Sequence, residues 1–162
     1  VGKCHLHLGS NQGDRQVNIA RAIQMIEAEI GPILGSSAMY ETAAWGKTDQ
    51  EAFINIAIEV EHYESPTTLL NVVNRIEDQL GRVRAMKWGP RLIDIDIILM
   101  EDIVVDSKRL TIPHRLMHKR NFVLAPMVEL APDVIHPVLE LTMIELYKAC
   151  EDDSEVNRIP LF

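Results

Sequence analysis

Between Ala52 and His62 every second residue from Ile54 to Val60 is a branched aliphatic. Ile54, Ile56, Ile58 and Val60 fall on one side, and Phe53, Asn55, Ala57 and Glu59 on the other. A two-residue period of this length predicts a strand with one face committed to a core. A strand so patterned needs neighbours, and the rest of the chain supplies them. Lys3 to Leu8 reads as a strand closed by Gly9-Ser10-Asn11-Gln12-Gly13, and Asp14 to Ile30 as a helix with Ile19, Ile23, Ile26 and Ile30 on one stripe. Gly31-Pro32 ends it. Ser36 to Thr42 predicts a strand and Ala43 to Glu51 a polar loop. Ser65-Pro66 then caps a helix that buries Leu69, Val73, Ile76 and Leu80 and stops at Gly81. Leu92 to Met100 predicts another strand and Ile103 to Ile112 a hairpin-like stretch. Short helical turns follow Pro113, then a helix over Thr142 to Ala149 and an acidic tail.

The order is strand, helix, strand, strand, helix, strand, then additions. That is a split βαβ arrangement, so the expected class is α+β, a ferredoxin-like βαββαβ core with an antiparallel sheet and C-terminal additions. Helices would cover one sheet face and the later segments part of the other. With 162 residues, 47% apolar and 25% charged, the chain suits one domain over residues 1–162 and excludes a disordered or coiled-coil protein. It has no run near the ~18 apolar residues of a membrane span, and no signal-peptide pattern. Cys4 and Cys150 lack metal-ligand spacing and read as reduced thiols of a cytoplasmic protein.

The net charge of −8 is unevenly spread. Residues 75–120 hold ten Lys or Arg against seven Asp or Glu, whereas the remainder holds six against seventeen. Such a chain lacks the extended basic face that nucleic-acid binding needs, and it suits a small anionic ligand held in one place.

Arg82 to Leu99 is the most informative segment. On a strand Asp94 and Asp96 share one face, with Ile93, Ile95, Ile97 and Leu99 on the other. Adjacent carboxylates repel, and they make sense around a divalent cation. Paired hard oxygens suit Mg²⁺ completed by waters and substrate phosphates, or a two-metal clamp. The plainer reading is two solvent-facing residues on a half-exposed strand. Arg82, Arg84, Lys87 and Arg91 lie just upstream, in a Gly-containing loop with Trp88, where guanidinium forks could neutralise a transferring phosphoryl group. Arg109, His114, Arg115, His118, Lys119 and Arg120 form a second cationic cluster, of which at least one member should meet an anion. Asn55 beside Phe53 could read the polar edge of a flat heterocycle, or be an ordinary strand amide. Gly9 to Asp14 matches no P-loop or dinucleotide fingerprint, and Asp14 reads as a helix cap. Asn74 and Glu77 are ligand contacts or only a polar helix face.

The run Lys87-Trp88-Gly89-Pro90-Arg91-Leu92-Ile93-Asp94-Ile95-Asp96-Ile97-Ile98 resembles the signature of the 6-hydroxymethyl-7,8-dihydropterin pyrophosphokinases of folate biosynthesis. Collinear matches lie at Leu8-Gly9-Ser10-Asn11, Tyr40-Glu41-Thr42, Phe53-Ile54-Asn55, Gly81-Arg82-Val83-Arg84 and Leu110-Thr111-Ile112-Pro113-His114. The resemblance implies transfer of the diphosphoryl group of ATP to the pterin hydroxymethyl oxygen, releasing AMP. Asp94 and Asp96 would bind two Mg²⁺, and Arg82, Arg84 and Arg91 would act on the triphosphate as catalytic groups. Leu70, Asn74, Glu77, Ile97, Arg109, Thr111, His114, Arg115 and Arg120 would hold ATP. Thr42, Ala43, Trp45 and Asn55 would read the pterin edge, Phe53 and Phe122 would sandwich its ring, and Trp88 would contact both ligands. The partners implied are small molecules, with no nucleic acid, no membrane and a monomeric state. Ala43-Ala44 stands where prolines are frequent in the family, Asn74 replaces a usual Gln, Arg115 a common aromatic, and the Arg84–Trp88 loop is one residue short. A metal-dependent nucleotidyltransferase that releases pyrophosphate, and a nucleotide sensor without turnover, are the competing readings.

Overall fold

The computed structural model describes residues 2–43, 51–81 and 92–160. Elements follow the order β1 (Gly2–Ser10), α1 (Arg15–Glu29), β2 (Ile33–Ser36), β3 (Tyr40–Thr42), β4 (Phe53–His62), α2 (Pro66–Gln79) and β5 (Asp94–Leu99). A small hairpin of β6 (Val105–Asp106) and β7 (Thr111–Ile112) comes next, then α3 (Asn121–Leu130), α4 (Met143–Ala149) and β8 (Val156–Arg158). The main sheet runs β5-β1-β4-β3-β8, with β2 also on β4. All of its pairings are antiparallel. This is the α+β ferredoxin-like arrangement that the element order predicts.

Alternation decides what each face does. Cys4, Leu6 and Leu8 of β1, Ile54 to Val60 at every second position of β4, and Ile95 and Ile97 of β5 pack against α1 and α2. The helices contribute Ile19, Ala22 and Ile26, and Leu69, Val73 and Ile76. Each Val, Leu or Ile among them contributes ~1.5–3 kcal/mol on burial, so this layer dominates the fold. The opposite face, with Ala57, Ile98 and Leu99, is covered by Val123, Leu124 and Met127 of α3 and Met143 and Leu146 of α4. Asp14 caps α1 by accepting from Val17 N–H at 3.2 Å, and Ser65 caps α2.

Four expectations change in three dimensions. Leu99 lies with Ile98 on the α3 side, because a register shift against β1 between His5 and Leu6 flips the parity of the last strand residue. The strand expected over Ser36 to Thr42 is two strands. At the break, Ser37 accepts from Ala57 N–H through its hydroxyl at 3.0 Å and donates its own N–H to the Ala57 carbonyl at 2.9 Å. The acidic tail contributes β8, which pairs with β3. Residues after Pro113 include a full helix, α3, in spite of Pro126 in its middle. Proline lacks an N–H and normally disfavours a helix interior, but burial of Val123, Leu124 and Met127 outweighs that cost.

Among the described residues no helix is long and apolar enough to cross a membrane. Cys4 and Cys150 are free thiols, and burial pushes Cys4 up to about 12.

Gly31 closes the join between α1 and β2, where a Cβ would overlap the Glu61 carbonyl oxygen. Glu61 N–H in turn donates to the Pro32 carbonyl at 3.0 Å. Gly31→Ala should therefore force backbone apart and cost ~1–3 kcal/mol. Thermal denaturation checks this, and an unchanged Tm would show that the turn is free to relax.

Candidate active site

The face of the sheet away from α1 and α2 carries the polar residues, and its register brings them into rows. Asp94 on β5 pairs with Gly9 on β1, and Gly9 pairs with Asn55 on β4. One step along, Asp96 pairs with His7, which pairs with Ala57. At ordinary strand spacing Asp94 and Asn55 are thus roughly 10 Å apart, with only a glycine between them. A Cβ on Gly9 would sit 3.3 Å from Asn55 Oδ1 and 3.4 Å from the Phe53 ring. The glycine keeps the floor between carboxylates and amide low. Asn55 is 2% exposed, and its amide orientation is set by a 2.7 Å donation from Nδ2 to Thr42 Oγ1.

Beside the aspartates opens a cleft of about 550 Å³. α2 lines it with Leu70, Asn74 and Glu77, and β5 with Asp94, Asp96 and Ile97. Arg109 and Thr111 come from the β6–β7 hairpin, and His114, Arg115 and Arg120 from the turns that follow. Local bonds hold these walls. Glu77 is buried and accepts from Ile95 N–H at 2.8 Å, satisfying a donor on the edge strand. It is therefore no free polar helix face. Arg109 donates to Asn71 Oδ1 at 2.8 Å, which ties the hairpin to α2. His114 donates its backbone N–H to Ile98 carbonyl at 2.9 Å, and its Nδ1 accepts from Leu116 N–H at 3.2 Å. The neutral ring thus carries its proton on Nε2. Burial lowers the His114 pKa, with the Asp96 charge acting against that shift.

On the other side of Gly9, β3 carries Thr42, with Ala43 just after it, and β4 carries Phe53 and Asn55. Arg15 braces both strands, at 2.8 Å from Glu41 Oε2 and 2.8 Å from the Ala52 carbonyl. Phe122, in the first turn of α3, meets the His7 ring edge-on at 5.7 Å and lies 5.6 Å below the Arg120 guanidinium. Trp45, Arg82, Arg84, Trp88 and Arg91 lie outside the described residues.

Sequence reasoning passed over two residues here. The run Gly9 to Gly13 reads as loop along the chain, yet β1 continues through Ser10 and places Gly9 in the row. His7 was not singled out. Its signal was available, since His5 and His7 alternate with Cys4, Leu6 and Leu8 and so must share the polar face.

Among the described residues no group of three or more His, Cys, Asp or Glu forms a metal cage. Asp94 and Asp96 form a two-carboxylate site, which fits Mg²⁺ that keeps waters and takes further oxygens from substrate phosphates.

A ferredoxin-like sheet with a carboxylate-bearing, cation-walled cleft suits a small anionic ligand held with a divalent metal. Residues 5–132 match the family described as 7,8-dihydro-6-hydroxymethylpterin-pyrophosphokinase. The chain is 43% identical over 134 residues to a 2-amino-4-hydroxy-6-hydroxymethyldihydropteridine pyrophosphokinase of Methylorubrum extorquens, covering 82% of this chain and 85% of that one. A protein of the same name from Aquifex aeolicus is 42% identical over 134 residues, covering 83% of each. A crystal structure of Plasmodium falciparum HPPK-DHPS with pteroate shares the fold at a TM-score of 0.74 and 18% identity. It covers 91% of this chain, which spans 42% of that one. The chain belongs to the 7,8-dihydro-6-hydroxymethylpterin-pyrophosphokinase family and is a pyrophosphokinase of folate synthesis.

Burial also sets how the fold answers to acid. His5, His7 and His136 are all depressed below the ordinary value of 6.5, chiefly by burial, and His7 to about 4. The Glu59 carboxylate, 3.0 Å from His5, only partly offsets this for His5. The unfolded chain then takes up these protons first. Stability present above pH 6.5 is lost as pH falls toward about 4. Metal-free Tm measured against pH should drop across that window. A flat profile would show that these rings stay hydrated in the folded state.

Proposed function

We propose that the cleft binds ATP with two Mg²⁺ and that the chain, as one domain over residues 1–162, passes the diphosphoryl group to the hydroxymethyl oxygen of 6-hydroxymethyl-7,8-dihydropterin. The hydroxyl oxygen forms a bond to the β-phosphorus, the bond from that phosphorus to the bridging oxygen of AMP breaks, and the hydroxyl proton is lost. The observation that carries this reading is the Asp94–Gly9–Asn55 row. That row sets the Asp94 carboxylate and the Asn55 amide on one face, with a cationic cleft on the carboxylate side, and this supports a heterocycle read by Asn55.

The division of labour follows from the walls. Arg109, His114, Arg115 and Arg120 supply positive charge and donors for phosphates, while Leu70 and Ile97 offer apolar surface to the adenine. Thr111 and Asn74 add hydrogen-bonding groups, and Glu77 keeps β5 in place while lining the same wall. Asp94 and Asp96 would hold the metal, which when bound neutralises phosphate charge and orients the triphosphate. Asn55, fixed by Thr42, presents its remaining amide atoms to the pterin edge, with Ala43 alongside and Phe53 and Phe122 against the ring. The roles of Arg82, Arg84 and Arg91 at the transferring group, and of Trp45 and Trp88 at the ligands, rest on the resemblance of their motifs.

Product analysis with ATP, Mg²⁺ and the reduced hydroxymethylpterin tests the reading. AMP and a diphosphorylated pterin should appear in equal amounts, whereas release of pyrophosphate or ADP would overturn it. Asp96→Asn should abolish turnover yet leave metal-free Tm unchanged or higher, because one repelling charge is gone. A lowered Tm with turnover retained would remove Asp96 from the metal site. Asn55→Ala should weaken pterin binding by ~1–3 kcal/mol and spare ATP, since the buried heterocycle edge is left unpaired. Titration calorimetry with each ligand checks this, and equal losses for both would move the pterin elsewhere.

A further inference from the structure

We propose that Asp152 is a positioning residue for the pterin, which sets Phe122 from the chain tail by capping α3 while the strand that follows it backs Thr42. Asp152 lies beyond residues 5–132, the part of the chain that matches the family. α3 has Arg120 at its N-cap. A guanidinium only donates, so it offers no acceptor to the N–H groups of the first helical turn. Asp152 supplies that acceptor from the tail, where its Oδ2 accepts from Asn121 N–H at 3.1 Å. Its Oδ1 accepts from Ser154 N–H at 3.0 Å, which fixes the carboxylate in place. Asn121 closes the contact from its own side by donating Nδ2 to the Ser154 carbonyl. A carboxylate at this end of a helix is also favoured by the helix dipole. Phe122 is the next residue, so its backbone position follows from this junction.

The other end of α3 is tied to the same tail. Glu129, in the last turn, accepts from the Tyr40 hydroxyl and from Ala38 N–H, each at 2.8 Å. Its Oε2 lies 3.2 Å from Arg158 Nη2. Arg158 belongs to β8, whose register on β3 sets Arg158 against Tyr40 and Val156 against Thr42. Thr42 in turn accepts from Asn55 Nδ2 at 2.7 Å and so orients that amide. The segment from Asp152 to Arg158 therefore reaches both the α3 start beside Phe122 and the β3 residue that fixes Asn55. A tail that only closed a sheet edge would need β8 alone. The second anchor, at Asn121, holds the Phe122 side and the Asn55 side of the site in one fixed relation.

That these two sides take the pterin rests on the function proposed above, so the test has two separate readouts. Three variants are compared with the parent chain. Asp152→Ala removes the acceptor, Asp152→Asn keeps an acceptor that caps about as well, and Asp153→Asn alters the exposed neighbouring charge. The first readout is amide hydrogen exchange at Asn121. It should quicken about tenfold in Asp152→Ala and stay within about threefold of the parent in the other two. The second is calorimetric affinity for 6-hydroxymethyl-7,8-dihydropterin and for ATP with Mg²⁺. Asp152→Ala should weaken pterin binding about fivefold while ATP affinity stays within about twofold, and Asp152→Asn should recover most of the loss. Unchanged exchange at Asn121, equal losses for both ligands, an Asp152→Asn variant as weak as Asp152→Ala, or the same loss in Asp153→Asn would overturn the proposal. A parent chain that fails to bind the pterin sinks both the proposed function and a positioning role for Asp152, whereas a parent that binds it with Asp152→Ala unaffected sinks only the latter.

Discussion

Because strand side chains alternate, the nine register pairs between Gly2↔His62 and Ser10↔Ile54 commit every residue of β1 to a face at once. Cys4, Leu6 and Leu8 are buried under α1 and α2, so His5, His7 and Gly9 have no choice but the other side. A slip by one residue would put the histidines into the main core and the leucines over the cleft. The site therefore exists only because the apolar face is strong enough to hold the register. The same constraint reaches β5, where pairing with β1 places Asp94 beside Gly9 and Asp96 beside His7.

Two carboxylates on an edge strand are a liability that the surrounding structure manages. Glu77, from α2, accepts the Ile95 N–H and so pins the strand between the two aspartates. Among the described residues, the cations that share the cleft with Asp94 and Asp96 come from the β6–β7 hairpin and the turns after it, segments distant from α2 in sequence that line the same cleft. A chain of net charge −8 thereby gathers positive charge along one cleft, which suits a small anionic ligand.

The far side of the sheet is built on less forgiving chemistry. α3 holds its place on apolar contacts with Val123, Leu124 and Met127 in spite of an internal proline. The His7 ring meets the Phe122 ring edge-on from the strand below at 5.7 Å. Stability and site geometry are therefore coupled through one strand: β1 carries the core leucines, the glycine of the floor and the histidine under Phe122.

Much of this was legible in residue order. The period-two runs at Ile54–Val60 and Ile93–Ile97, the stripes of α1 and α2, and the Asp14 and Ser65 caps are local signals, and each led to the element found. Asp94 and Asp96 share one face as residues two apart on a strand must, while Arg82, Arg84, Lys87 and Arg91, which sequence sets beside them, lie outside the described residues. What residue order could not carry was non-local. The parity flip at Leu99 depends on a bulge in pairing with β1. The pairing of the acidic tail as β8 depends on an open edge at β3. The full length of α3 depends on burial that outweighs Pro126. Gly9 and His7 look unremarkable along the chain, and only register sets one between Asp94 and Asn55 and the other beneath Phe122. Periodicity and capping are properties of neighbours in sequence, so the sequence by itself determined the main elements and their order. Register and the closing of buried hydrogen bonds are properties of neighbours in space, and only the tertiary structure decided those.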